Sequence, residues 1–435
     1  MPQPAQLVRA IGRWSLVALV LNSIIGSGVF GLPSVTAKYL GTASPWAYLI
    51  AAAGMAAIMA CFAEVASRFH EAGGPYLYAQ AAFGRFAGIQ MGWLAWLVRI
   101  TALAANANLF VVYLAEFWPQ AESPYARALV LALVLGVHAA VNYIGVGAAA
   151  GQSNLFIIAK LGVLAIFIAA GAIFLLATRG SPAPAQLSAV GGAGGWLEAV
   201  LLLVYAYGGF EAALIPMAEA KDPQRDAPFA LFIALTACTL VYTSIQLVVL
   251  GTLENAAASS RPLADAARAF LGENGASLVA LAALFSLYGY MASAMLNAPR
   301  LTFALAERGD FPAFFAAIHP RFHTPYISIA VFYALVLALA VAGSFEWNAT
   351  LSAVARLFTY GAVCLALLRL RKSETTPPVF RLPAAAAVVT VAIAFCVVVA
   401  SRMGRLELKI MLVTAAIALI NWLFVRRRPQ PERSA

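Results

Sequence analysis

Two glycine clusters carry the residues whose chemistry can be stated first. Asn22-Ser23-Ile24-Ile25-Gly26-Ser27-Gly28-Val29-Phe30-Gly31-Leu32-Pro33 lies inside an apolar run near the N-terminus, and Tyr205-Ala206-Tyr207-Gly208-Gly209-Phe210-Glu211 lies inside another. Glycine destabilises a helix interior and Pro33 cannot donate a backbone hydrogen bond, so both runs are expected to break near their centres. A half-helix beginning at Ser27 and Gly28 presents unbonded N–H groups and a positive dipole end. One ending between Tyr205 and Gly208 presents carbonyls and a negative end. The first suits a carboxylate and the second an ammonium, so a zwitterion between the two breaks would satisfy both. Close helix packing alone also explains one such cluster, but paired clusters in corresponding spans point to a binding site.

Three ionisable residues stand deep inside apolar stretches: Arg99, Lys160 and Glu211. Charge in the hydrocarbon core is costly unless paired or wetted, which makes each a functional candidate. Arg99 sits roughly 20 Å into its span at 1.5 Å per residue and needs a partner. Glu211, beside a helix break, is the expected one; a substrate side chain is the other. Lys160 admits two readings, a fixed strut between helices and a group that gives up its proton when held out of water. Glu64 and Arg68 form an i,i+4 pair near a span end and read as solvated structural charge. His138 reads as a hydrogen-bonded packing residue.

The elements that must position these residues are membrane helices. Hydrophobic residues make up 63% of the chain and charged ones 11%, a balance no soluble fold could bury. At about 20 residues per span, twelve spans use roughly 240–280 positions, in line with the apolar content. The expected organisation is all-α and integral to the membrane. Residues 1–14 form a cytoplasmic N-terminus; 15–177 hold spans 1–5, the fifth at 153–177; 196–369 hold spans 6–10, the tenth at 349–369; 383–425 hold spans 11 and 12; and 426–435 form a cytoplasmic tail. The first apolar run is too long for a cleavable signal.

The net charge of +10 reports orientation rather than nucleic-acid binding. With both termini cytoplasmic, about twice as many basic residues fall inside as outside, Arg9, Arg13, Arg68 and Arg85 among the former. The stretch from Pro262 to Leu271 is amphipathic and is expected on the outer surface. The four cysteines stand alone in apolar runs, with no metal spacing. No phosphate-cradling loop and no Ser-His-Asp pattern appears. No cofactor, and no means of using ATP, is therefore expected.

The run Gly26-Ser27-Gly28-Val29-Phe30 resembles the first-helix signature of the amino acid–polyamine–organocation superfamily of transporters. Ala72-Gly73-Gly74-Pro75-Tyr76 with Phe83-Gly84 is similar to its first cytoplasmic loop, and Glu219-Ala220-Lys221-Asp222-Pro223 with Arg225 and Pro228 to the end of its sixth helix. Pro299-Arg300, Phe303-Ala304, Gly309 and Pro312 resemble the end of its eighth. The resemblance implies a 5+5 inverted repeat with discontinuous helices 1 and 6 and two further C-terminal helices. It implies that Ser27 and Gly28 meet a substrate carboxylate while the carbonyls of Ile24, Tyr205 and Gly208 meet its amine, with Gly26 and Ala206 beside them. Tyr205 would gate the site from above; the helix-8 aromatics nearest a second gate are Tyr288 and Tyr290. Lys160 is similar to a lysine that takes the place of a bound sodium in some relatives. The function expected is secondary transport of amino acids, neutral ones because a guanidinium beside the pocket would repel a cationic side chain, with proton coupling; if Arg99 is not coupled to Glu211 it is free to face an acidic side chain. An exchanger is the alternative; an enzyme or a sensor lacks the clustered side chains or output domain it needs.

Overall fold

The computed structural model describes residues 12–69, 73–145, 153–178, 192–214, 221–373 and 378–427. Arg9, Ala72, Glu219, Ala220 and the tail beyond 427, singled out above, lie outside them. Span 1 is split into α1 (Arg13–Ile24) and α2 (Gly28–Leu40). Span 2 is α3 (Ser44–Ala66), and a short helix α4 (Gly74–Phe83) leads into span 3, α5 (Arg85–Leu114). Spans 4 and 5 are α6 (Pro124–Ile144) and α7 (Ser153–Ala177). Span 6 is again split, into α8 (Ala193–Tyr207) and a single turn α9 (Phe210–Ala213). Then come α10 (Pro223–Thr252), α11 (Pro262–Glu307), α12 (Tyr326–Ala342), α13 (Phe345–Ser373), α14 (Ala385–Ala400) and α15 (Arg405–Val425). Among the described residues nine helical stretches are long and apolar enough to cross a membrane, and the shorter apolar helices α1, α12 and α14 fill out the twelve traverses.

The helix ends follow from local chemistry. Proline opens α3, α6, α10 and α11, where the missing N–H costs nothing, and the Asp222 side chain accepts from the Arg225 amide to cap α10. Gly84 (φ 86°) and Gly145 (φ 88°) take the left-handed turns that end α4 and α6.

The packing is compatible with an inverted repeat. If spans 1–5 map onto spans 6–10, contacts should come in equivalent pairs, and several do. α5 packs on α13 as α11 packs on α7; α1 on α10 as α8 on α3; α12 on α5 as α11 on α6. Five is odd, so the second set starts from the opposite face. The central helices α5 and α13 are about three-quarters buried along their apolar windows, whereas α6, α7 and α15 are mostly exposed and present Leu, Ile and Val to lipid.

The Pro262–Leu271 stretch is helical and ends at a break at Gly272 (φ 69°). It is docked rather than merely lying on a surface: Leu263, Ala264, Ala266 and Ala267 are buried. Arg268 bonds Asp265 at 2.7 Å and pairs with Glu116 beyond the end of α5, to which Arg261 also comes within 3.0 Å.

Glu64 departs from the expectation of solvated charge. It is fully buried, bonded to Arg68 at 2.8 Å, to Arg371 through both carboxylate oxygens and to the Leu382 amide at 2.8 Å. The i,i+4 spacing revealed Arg68 but not the two partners brought from the far end of the chain. Replacing a buried carboxylate held this way takes the counter-charge from two guanidinium groups. Glu64→Leu is expected to destabilise the solubilised protein by about 3–5 kcal/mol, read as a lowered unfolding midpoint, where a solvated pair would be nearly silent.

Candidate functional site

The structure breaks both helices at the glycine clusters and brings the breaks together. α1 stops at Ile24, Ile25 leaves the helical region (ψ 89°), and α2 restarts at Gly28. α8 stops at Tyr207, Gly208 is extended, and Gly209 adopts φ 107°, a conformation a side chain rarely takes. Glycine is needed at Gly28 for a different reason: a Cβ there would meet the Ala206 Cα and Cβ at 3.0 Å, so α2 and α8 cross in direct backbone contact.

Between the breaks lies a small cavity of about 20 Å³ lined by Ser23, Ile24, Gly26, Ser27, Gly28, Asn106, Tyr205, Gly208, Tyr290 and Arg356. That is room for about one water, so an amino acid held here needs the breaks to part. The opening amides of α2 at Gly28 face it as a positive helix end. The Ser27 hydroxyl is 2.5 Å from the Tyr205 hydroxyl, which in turn accepts from the Asn106 amide at 3.1 Å. Tyr205 stands edge-on to Phe345 at 6.3 Å between centroids. Beside it Glu346 accepts from Tyr39 at 2.9 Å and pairs with Lys38 at 3.6 Å, tying the end of α2 to the start of α13.

Ala206 lies in the contact with α2 rather than on the cavity wall, and its carbonyl accepts from the Tyr242 hydroxyl at 3.2 Å. The same hydroxyl lies 3.2 Å from the Ile24 carbonyl. Of the two helix-8 aromatics, Tyr290 reaches the cavity, while Tyr288 packs on the His138 ring at 4.4 Å. His138 also bonds the Val134 carbonyl at 2.6 Å, a packing role.

The expected pairing of Arg99 with Glu211 is not what forms. Glu211 pairs with Arg356 of α13 (Nε to Oε1, 3.1 Å) and also accepts from Tyr360 at 2.8 Å and from the Gly209 amide at 2.9 Å. Arg356 is 5% exposed, donates to the Tyr205 carbonyl at 3.2 Å and lies 5.7 Å over the Tyr205 ring. Among the described residues Arg99 makes no ion pair. Sequence reasoning missed Arg356 although its signal was of the same kind as Arg99's: a lone cation amid apolar residues, well inside a span.

Lys160 bonds the Ile25 carbonyl at 2.5 Å and the Asn22 side chain at 3.0 Å. It therefore caps the negative end of α1 as Arg356 caps that of α8, and spans 5 and 10, which carry them, would be mates in a 5+5 repeat. Among the described residues no group of His, Cys, Asp and Glu could hold a metal, and the four cysteines are buried and unbridged.

Two substitutions probe the amide end. Ser27→Leu is expected to abolish binding of every amino acid in a labelled panel while the purified protein still elutes as a single folded peak, because the side chain fills the anion position. Gly28→Val should lose binding and folded yield together, since its Cβ forces α2 off α8. Wild-type affinity in Ser27→Leu would remove the carboxylate from this end.

Comparison with known proteins agrees with this architecture. The chain is 23% identical over 444 residues to a branched-chain amino acid permease of Bacillus subtilis (strain 168), covering 97% of this chain and 94% of the relative. It is 30% identical over 380 residues to an uncharacterised transporter of Mycobacterium tuberculosis (strain H37Rv), covering 86% and 83%. A methylthioribose transporter of Bacillus subtilis is 24% identical over 387 residues, covering 85% and 82%. The amino acid permease family matches residues 11–422. Nearly the whole chain, broken helices included, thus falls within one family of carriers: it belongs to the amino acid permease family and is a multi-pass membrane transporter, not an enzyme.

Proposed function

We propose that this chain is a secondary active transporter that carries small amino acids by alternating access, coupled to protons rather than sodium. The observation that carries the reading is the meeting of the α2 N-terminus and the α8 break on one polar-lined cavity. A zwitterion's carboxylate there finds amides already oriented, with no reorganisation to offset. The branched-chain permease among the relatives supports an amino acid as cargo and keeps neutral side chains among the candidates.

Cationic side chains are disfavoured. Arg356 and Arg99 both stand near the cavity with Glu211 as their one counter-charge among the described residues, and a lysine or arginine substrate would add to that surplus in a medium of low dielectric. The expectation of a neutral cargo left an acidic side chain open if Arg99 did not pair with Glu211; with Glu211 held by Arg356, that alternative stands.

Proton coupling in place of sodium rests on Lys160, which resembles a lysine that takes the place of a bound sodium in some relatives and whose ammonium bonds two oxygens of α1 and its break. The orientation we favour has both termini in the cytoplasm of a cell whose inner membrane holds the protein, as the basic-residue asymmetry suggests.

The test is uptake by proteoliposomes of a labelled amino-acid panel, with and without an inward proton gradient, with choline replacing sodium, and with or without unlabelled substrate inside. Gradient-driven accumulation that ignores sodium is the expected result. Strict sodium dependence would refute the assignment of Lys160. Uptake only against internal substrate would make the protein an exchanger.

A further inference from the structure

The cavity offers many donors and few acceptors. Donors are the opening amides of α2, the Ser27 and Tyr205 hydroxyls and the Arg356 guanidinium. The carbonyls that the broken helices would offer an ammonium are largely engaged by the protein's own groups. Ile25 is taken by Lys160, Tyr205 by Arg356, and Ile24 and Ala206 share the single proton of the Tyr242 hydroxyl.

Asn106 adds a side-chain acceptor that the protein leaves unmatched. Asn106 lines the cavity, is 1% exposed, and donates through Nδ2 to the Ala102 carbonyl at 2.7 Å and the Tyr205 hydroxyl at 3.1 Å. Flipping the amide would set two oxygens against each other at Ala102, so its orientation is fixed. Its Oδ1 is buried with no hydrogen-bond partner, a costly arrangement unless a ligand donor comes to it.

Arg356 has capacity left over as well. It meets Glu211 through Nε alone and Tyr205 through Nη1, while the second Glu211 oxygen is committed to Tyr360 and the Gly209 amide. The Nη edge of the guanidinium, the edge whose paired N–H groups match a carboxylate, is not used by Glu211. Arg99, within electrostatic reach of Arg356, Glu211 and Tyr290, leaves the neighbourhood with two cations for one carboxylate.

We infer that the preferred cargo is an amino acid with a second carboxylate in its side chain, and that Arg356 is the residue that selects it. The α-carboxylate sits on the α2 amides at Ser27 and Gly28, the ammonium on Asn106 Oδ1, and the side-chain carboxylate on the Nη edge of Arg356. A neutral amino acid fills the first two positions and leaves the guanidinium edge desolvated without an acceptor. This inference rests on the transport reading above and narrows it.

The test is competition in wild-type proteoliposomes or purified full-length protein, with labelled glutamate and aspartate against unlabelled glutamine, asparagine, leucine and lysine. The expected result is that the acidic amino acids bind at least about tenfold tighter than their amides, the scale of one charge-assisted bidentate contact. The Arg356→Gln/Glu211→Gln double variant, which removes both charges together, should bring acid and amide within about threefold of each other. Tighter or equal binding of neutral amino acids by the wild type overturns the inference and leaves amino-acid transport standing. A tenfold acid preference that survives in the double variant overturns the role of Arg356. Failure of every amino acid in the panel to bind overturns the transport reading with it. The wild-type ranking decides the preference even where the double variant does not fold.

Discussion

Removing Glu211 alone is expected to damage the protein more than removing Glu211 and Arg356 together. The pair is held at 3.1 Å with Arg356 almost fully buried, and a lone charge left at such a place costs about 3–5 kcal/mol. The two single variants should not be equal. In Arg356→Leu the orphaned carboxylate keeps the Tyr360 hydroxyl and the Gly209 amide. In Glu211→Leu the guanidinium keeps only the Tyr205 carbonyl and still faces the field of Arg99. The expected order of folded yield and unfolding midpoint is therefore Glu211→Leu lowest, Arg356→Leu next, and the double leucine variant highest of the three. A cycle on Arg99 and Glu211 should show clearly weaker coupling than the one on Glu211 and Arg356, because Arg99 reaches Glu211 only through space and shares no bond with it. Strong coupling in that cycle and none between Glu211 and Arg356 would show that the pairing seen here is not the one that matters.

The two breaks were legible in the sequence because their cause is local. Glycine and proline weaken a helix wherever they stand; Gly209 is held at a backbone angle side chains rarely adopt, and Gly28 sits in a tight backbone contact that favours glycine. The order and number of spans were legible for a similar reason, since a bilayer fixes the length of each apolar run. What could not be read is which side chains from distant spans close on the breaks. Glu211 has two candidate arginines, and only the crossing of α13 over α8 decides for Arg356. Glu64 likewise takes its extra partners Arg371 and Leu382 from more than three hundred residues away.

Arg356 was nonetheless accessible by one route. Lys160 and Arg356 stand the same number of residues into spans 5 and 10, counted from the starts read at 153 and 349, so a 5+5 repeat would carry one onto the other. Each then puts a cation on the negative end of the half-helix broken in its own repeat. The Asn106 acceptor had no such signal, because an asparagine inside an apolar run reads equally well as a satisfied packing residue until its neighbours are known.

Replacing Lys160 should separate substrate binding from proton-driven accumulation. Its ammonium bonds the Ile25 carbonyl and the Asn22 side chain, so Lys160→Leu leaves a helix-end carbonyl without a donor and is expected to lose both folded yield and transport. Lys160→Gln is the informative variant: its amide can still donate to those oxygens, yet it neither carries a charge nor releases a proton. If Lys160 carries the coupling proton, this variant will bind substrate within a few fold of wild type and exchange labelled for unlabelled substrate. It will not concentrate substrate above equilibrium when an inward proton gradient is imposed. Loss of accumulation by tenfold or more, with exchange retained, corresponds to about 1.4 kcal/mol or more of driving force no longer captured. If the lysine is only a strut, accumulation and exchange will fall together in Lys160→Gln. Lys160→Arg, which keeps the charge and holds its proton far more firmly, will then restore both. The ratio of gradient-driven accumulation to exchange in these two variants distinguishes the roles, because a strut acts on both measurements through the same helix end while a proton carrier acts on one of them alone.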